Sequence, residues 1–179
     1  MDGDTKKKVV PQLMPRALYW FRWGAAWTWL TGFFLLFTVY YHGHHGSNLV
    51  AGQVQVTAMT WVPALLGLFV GFLVYDLLFK ALAKQHNVGV VLWGLYAIGY
   101  GWALIEFSEF SQRAAYIHVG ALFGTAMAAN VWMRIWPAQR RIITAIKEGK
   151  APDAADPALA GLRSKHNTFM SVPLIFTML

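Results

Sequence analysis

The sequence predicts an all-α integral membrane protein, a bundle of four transmembrane helices followed by a truncated or partial fifth, with its N-terminus in the cytoplasm. Three observations predict it. Hydrophobic residues make up 57% of the 179 and charged residues only 13%, about half of the roughly 25% usual in soluble domains, so polar surface is too scarce to cover a water-facing globule. Four charge-free apolar runs each reach the length that crosses a hydrocarbon core of about 30 Å. The 15 lysines and arginines alternate along the chain as positive-inside insertion requires. The same composition excludes intrinsic disorder. Zero Cys excludes disulfides, zinc-thiolate and iron–sulfur sites, and any c-type haem in this chain, since that haem needs C-x-x-C-H.

Residues 1–22 read as a basic, interfacial cytoplasmic segment carrying Lys6, Lys7, Lys8, Arg16 and Arg22. The first run, Trp23 to Tyr41, has 19 residues, too many for a signal peptide's apolar core, and it lacks an A-x-A-like cleavage site. The others are Ala58 to Tyr75 (18 residues), Val88 to Ile105 (18) and Ala114 to Met133 (20). None shows period-2 alternation, and lipid leaves backbone groups to satisfy one another, so helices are favoured over a barrel. Counting Lys and Arg before, between and after the runs gives 5, 0, 2, 1 and 7, which puts the N-terminus and the segment after helix 4 on the cytoplasmic side of a bacterial inner membrane. Trp20, Trp23, Trp93, Trp132 and Trp136 then fall near inner helix ends, and Trp61 and Trp102 near outer ones, as an aromatic belt would. Residues 23–136 thus form the four-helix bundle.

In the cytoplasmic segment 137–166, Gln139, Ile142, Ile143 and Ile146 oppose Arg140, Arg141 and Lys147, the pattern of a short amphipathic helix on the inner leaflet. An Ala/Pro/Asp linker, Ala151 to Ala160, follows. Residues 167–179 begin a fifth apolar helix that stops short of the roughly 20 residues needed to span. A helix cut off in hydrocarbon leaves carbonyls unpaired, so the natural protein is expected to continue. The lipid bilayer is the first partner. The net charge of +7 is explained by topology, and no nucleic-acid motif accompanies it.

Ionisable groups at membrane depth each carry a functional and a structural reading. Asp76 precedes Lys80 by four residues, the spacing of an interfacial ion pair, with a proton or substrate role as the alternative. Glu106 and Glu109 cap the outer end of helix 3, where Glu109 and Arg113 share the same spacing; they form a solvated salt-bridged hairpin or an acidic mouth for protons. His118 lies five residues past Arg113, about 7.5 Å by helical rise, within the apolar zone. Its imidazole is either hydrogen-bonded to a neighbouring helix or an axial ligand for b-type haem or a chlorin pigment. Gly120, Gly124 and Ala128 form a small-residue ridge on helix 4, and Gly67 and Gly71 another on helix 2. At 100° per residue the helix-4 ridge points about 200° away from His118, so helix 4 should meet one neighbour through glycine and another partner through histidine. His42, His44 and His45 form an H-G-H-H cluster outside helix 1, either a solvated loop, a zinc or copper site, or in His42 a haem ligand opposite His118. No nucleophile elbow, phosphate loop, dinucleotide fingerprint or H-E-x-x-H occurs.

The stretch Met14 to Trp23, Trp27-Thr28-Trp29, Gly32-Phe33, Val74 to Leu78, Arg113 to Gly120, Gly124, Ala128 to Val131, Pro137 to Arg141, Arg163 to Asn167 and Pro173 resembles the membrane domain of the membrane-anchored urate oxidases, or urate hydroxylases. Those proteins join a multi-helix membrane domain to a C-terminal cytochrome c domain. The resemblance covers nearly the whole chain, and the Arg113 to Asn130 and Arg163 to Asn167 blocks are its most specific parts. It implies oxidation of urate by a membrane-bound oxidoreductase, with electrons leaving through haem c to the respiratory chain. The family has an additional N-terminal helix and continues into the haem domain, so a membrane-domain fragment, a split subunit or a relative recruited to another complex is expected.

On this reading Arg113, Tyr116, His118 and Asn130 are the candidate catalytic residues, with Asp76 and His166 as inner-side polar partners. Arg113 would attract an anionic substrate, and His118 would ligate haem or shuttle a proton. The alternative is a non-catalytic accessory subunit that packs its glycine ridges against a larger respiratory or photosynthetic electron-transfer complex. A proton-coupled transporter is the third reading, disfavoured by the absence of inverted repeats.

Overall fold

A computed structural model describes residues 3–42, 49–50 and 57–179, with side chains from residue 9. The described chain is helical, with no named strand among the described residues: α1 (Gly3–Leu36), a π-helical segment π1 (Phe37–His42), α2 (Ala58–Ala81), α3 (His86–Ser108), α4 (Gln112–Asn130), a second π-helical segment π2 (Val131–Ile135), α5 (Trp136–Lys147) and α6 (Ala155–Met178).

Among the described residues, three helices are long and apolar enough to cross a membrane: Ala58–Ala81, His86–Ser108 and the continuous stretch Gln112–Lys147. The expected first span is not among them. Trp23, Trp27 and Trp29, with Thr28 and Thr31, dilute its aliphatic content. Helix α1 also starts 20 residues before the expected span and continues through Pro11 and Pro15, each of which removes a helical N–H donor. At the other end, the apolar stretch from Thr168 is the second half of a 24-residue helix. Its first half starts at Ala155, inside the expected linker, with Asp156 in the first turn, where a carboxylate suits the positive end of the helix dipole.

Local chemistry sets several boundaries. The Thr60 hydroxyl accepts the Thr57 backbone N–H at 3.2 Å, a reciprocal cap for the exposed donors at the start of α2. Helix α3 closes on Glu109 in the left-handed region (φ 54), and Phe110 N–H returns to the Leu104 carbonyl at 3.0 Å, as helix-ending turns do. Ser111 Oγ then accepts Ala114 N–H at 3.2 Å and starts α4. Val50 and Phe110 form an isolated antiparallel bridge.

The chain divides into two compact units, Met1–Trp29 with Met127–Met170, and Leu30–Ala126 with Ser171–Leu179. In the second unit both glycine ridges make close contacts. A Cβ on Gly67 would lie 2.6 Å from Tyr100 Cε2, and one on Gly71 would strike Leu122. On α4, a Cβ on Gly120 would lie 2.8 Å from Thr177 Oγ1, and one on Gly124 3.5 Å from Leu174 Cδ1. Missing side chains let these helix backbones approach. Tyr75, Phe79, Trp93, Tyr96 and Phe123 form a contiguous aromatic core, Tyr75 against Phe79 at 5.0 Å and Trp93 stacked on Tyr96 at 5.3 Å between ring centroids. In the first unit Arg22 lies 3.9 Å over the Trp136 ring, and Trp132 donates its indole N–H to the Arg22 carbonyl at 3.0 Å. These two tryptophans thus pack around a cation.

Candidate functional site

His118 has the most enclosed polar side chain of the second unit, with 0% of its surface exposed. The Glu109 turn aims Phe110 inward onto it at 4.9 Å between ring centroids. Tyr41, brought in by the wide turns of π1, stands on the other side at 5.6 Å, and Tyr40 at 6.4 Å. Segments of π-helix are rare and are often found at functional sites.

Both imidazole nitrogens are engaged. Nδ1 lies 2.7 Å from the Ala114 carbonyl. A carbonyl only accepts, so Nδ1 carries a hydrogen and the bare Nε2 of the neutral ring is the acceptor. The Tyr41 hydroxyl, 2.5 Å from Nε2, therefore donates to His118. An axial ligand must present a bare nitrogen to its metal. Because Nε2 is taken by Tyr41 and the ring is sealed, His118 as arranged does not fit a haem iron or a chlorin magnesium. The arrangement suits proton transfer between a phenol and an imidazole within aromatic walls.

Within the second unit, the other sequence-derived candidates are not among the hydrogen-bond and ring partners of His118. Tyr116 is 55% exposed. Arg113 is exposed, and its guanidinium donates to the Leu179 carbonyl at 3.4 Å. The expected Glu109–Arg113 salt bridge is absent, because the left-handed turn at Glu109 breaks the helix that the i,i+4 spacing assumes. Asp76 and Lys80, on one uninterrupted helix, do pair at 2.7 Å. His42 is exposed and stacks on Phe37 at 6.3 Å between centroids. His44 and His45 lie outside the described residues. Among the described residues no group of three or more His, Asp or Glu is placed to hold a metal ion.

Asn130 belongs to the first unit and is fully buried. Its Nδ2 donates to Asn167 Oδ1 at 3.0 Å, and Asn167 Nδ2 donates to the Met127 carbonyl at 3.1 Å. Arg163 and His166, also buried, lie four and one residues before Asn167 on α6. Beyond them Arg141 holds Asp156 with two nitrogens, Nη2 to Oδ1 at 2.6 Å and Nε to Oδ2 at 3.1 Å. Those hydrogen bonds, aided by the positive charge, keep the Asp156 carboxyl below the usual carboxylate range.

Tyr41 and the Arg141–Asp156 pair were not singled out by sequence reasoning. Tyr41 entered only as the end of an apolar run, and no residue pattern there signals a π-helical turn. Asn167 did leave a signal, since it closes one of the two blocks that carry the family resemblance.

The chain matches no curated protein and no solved structure. The model of the family described as urate oxidase N-terminal matches residues 3–179, nearly the whole length, and the chain belongs to that family.

Proposed function

We propose that this chain is the membrane domain of a urate-oxidising redox protein that passes electrons toward a cytochrome c or the respiratory chain. The family match over residues 3–179 carries the reading. Membrane insertion is supported by the three long apolar helices and by the exposure of Ile98, Trp102, Phe107 and Leu77, side chains that water would not leave open in such number but lipid would. The alternation of basic residues supports a cytoplasmic N-terminus in a bacterial inner membrane. His118 and Tyr41 are then the groups best placed to move a proton during oxidation.

The test is urate consumption, followed by loss of its ultraviolet absorbance, in native membranes with and without a deletion of this chain. Urate-dependent reduction of a cytochrome c is monitored in the same vesicles. The expected result is that both activities vanish with the deletion and return on complementation. Undiminished urate loss in the deletion would sink the reading.

A second reading, an accessory subunit of a larger electron-transfer complex, is favoured by one observation. Val91, Leu95, Ile98 and Trp102 are all exposed on α3 at spacings of four, three and four, the stripe that a helix of another subunit would cover. Co-purification with other chains in fixed ratio, without urate-dependent activity, would decide for it.

A further inference from the structure

The Tyr41–His118 pair has three features that a buried structural hydrogen bond does not need. The phenol donates to a nitrogen whose other side is already held by a carbonyl, so the ring is poised to accept the phenolic proton without reorienting. Among the described residues, the rings that wall the pair, Phe110, Tyr40 and Trp61, carry no charged acceptor to compete for the proton. Trp61 stacks on Tyr41 at 5.3 Å and 21° between ring planes and is itself partly exposed, giving an electron a short aromatic route from the buried phenol toward the surface.

We propose that Tyr41 and His118 form a proton-coupled redox pair, in which the buried phenol is oxidised to a tyrosyl radical by a one-electron metal oxidant from outside this chain. The O–H bond of Tyr41 breaks and an N–H bond forms at His118 Nε2. One electron leaves through Trp61 and reduces the oxidant by one unit. The products are a neutral phenoxyl radical and an imidazolium whose Nδ1–H still donates to Ala114. A phenol radical cation is a far stronger acid than an imidazolium, so a bare ring nitrogen in hydrogen-bond contact lets the proton leave as the electron does. Rereduction by one electron returns the proton from Nε2 to the phenol oxygen. The pair does not depend on urate being the substrate.

The test uses the full chain purified in detergent, oxidised with hexachloroiridate(IV), freeze-quenched and examined by electron paramagnetic resonance. A tyrosyl signal is expected that is lost in Tyr41→Phe and falls about tenfold or more in His118→Ala, the size set by losing a hydrogen bond to a charged group. Its decay should slow in deuterium oxide, which a purely structural contact would not produce. No tyrosyl signal, or one of equal amplitude in Tyr41→Phe, would overturn the proposal. Tyr41→Phe removes one oxygen and keeps the ring, so it decides the matter even where His118→Ala fails to fold.

Discussion

Replacing Gly67 with Ala places a methyl group 2.6 Å from Tyr100 Cε2, where carbon atoms need about 3.5–4.0 Å. The ring must retreat by about 1 Å. It cannot do so freely, because its hydroxyl donates to the Ala64 carbonyl, one turn before Gly67 on α2, at 2.8 Å. Overpacking of this kind costs about 1–3 kcal/mol, and loss of the hydrogen bond adds about 0.5–1.5 kcal/mol. Against this, Ala is the better helix former by about 1 kcal/mol. The net expectation is destabilisation by roughly 1–3 kcal/mol. Gly99→Ala is the internal control: nothing lies within 4 Å of a Cβ there, so only the helical gain remains, and the variant should be unchanged or more stable by up to about 1 kcal/mol. The assay is reversible unfolding in mixed micelles titrated with dodecyl sulfate, followed by far-ultraviolet circular dichroism. Equal midpoints for the two variants would refute the close packing of α2 on Tyr100.

Other consequences are open to the same methods. Asp156→Asn should lower the unfolding midpoint at neutral pH. Because the folded carboxyl is held below its unfolded value, the stability it adds is present above the unfolded pKa and lost as pH falls through the folded one, so wild type and variant should converge on acidification; a difference that persists in acid would rule out this carboxylate as its source. Asn167→Ala removes the bond to Met127 and the acceptor for the buried Asn130 amide, and should cost about 1–3 kcal/mol by the same micellar titration; an unchanged midpoint would show that the amide chain adds nothing. In membranes that consume urate, Tyr116→Phe should leave the rate unaltered, since that phenol is exposed, whereas Tyr41→Phe should depress it. The opposite ranking would move the chemistry away from the His118 pocket.

Features that depend on one continuous helix were legible before the structure. The Asp76–Lys80 pair follows from spacing alone, as do the amphipathic face of α5 and the opposite directions of His118 and the Gly120 ridge. The identical spacing of Glu109 and Arg113 misled, because one left-handed residue ends the helix between them. The expected linker misled in the other direction, since its Ala/Pro/Asp composition reads as a break, yet α6 begins inside it.

The sequence by itself determined the helical class, the apolar runs long enough to cross a membrane and the family, because composition and 3.6-residue periodicity are local properties that each segment carries wherever it packs. Only the tertiary structure decided which polar side chains far apart in the chain meet. Tyr41 and His118 are 77 residues apart, and Asn130 and Asn167 are 37 apart. Their contacts depend on the rotation and register of separate helices, on the extra residue per turn in π1 and on the turn that drives Phe110 inward. Those are fixed by how whole surfaces interlock, not by the preferences of any one segment.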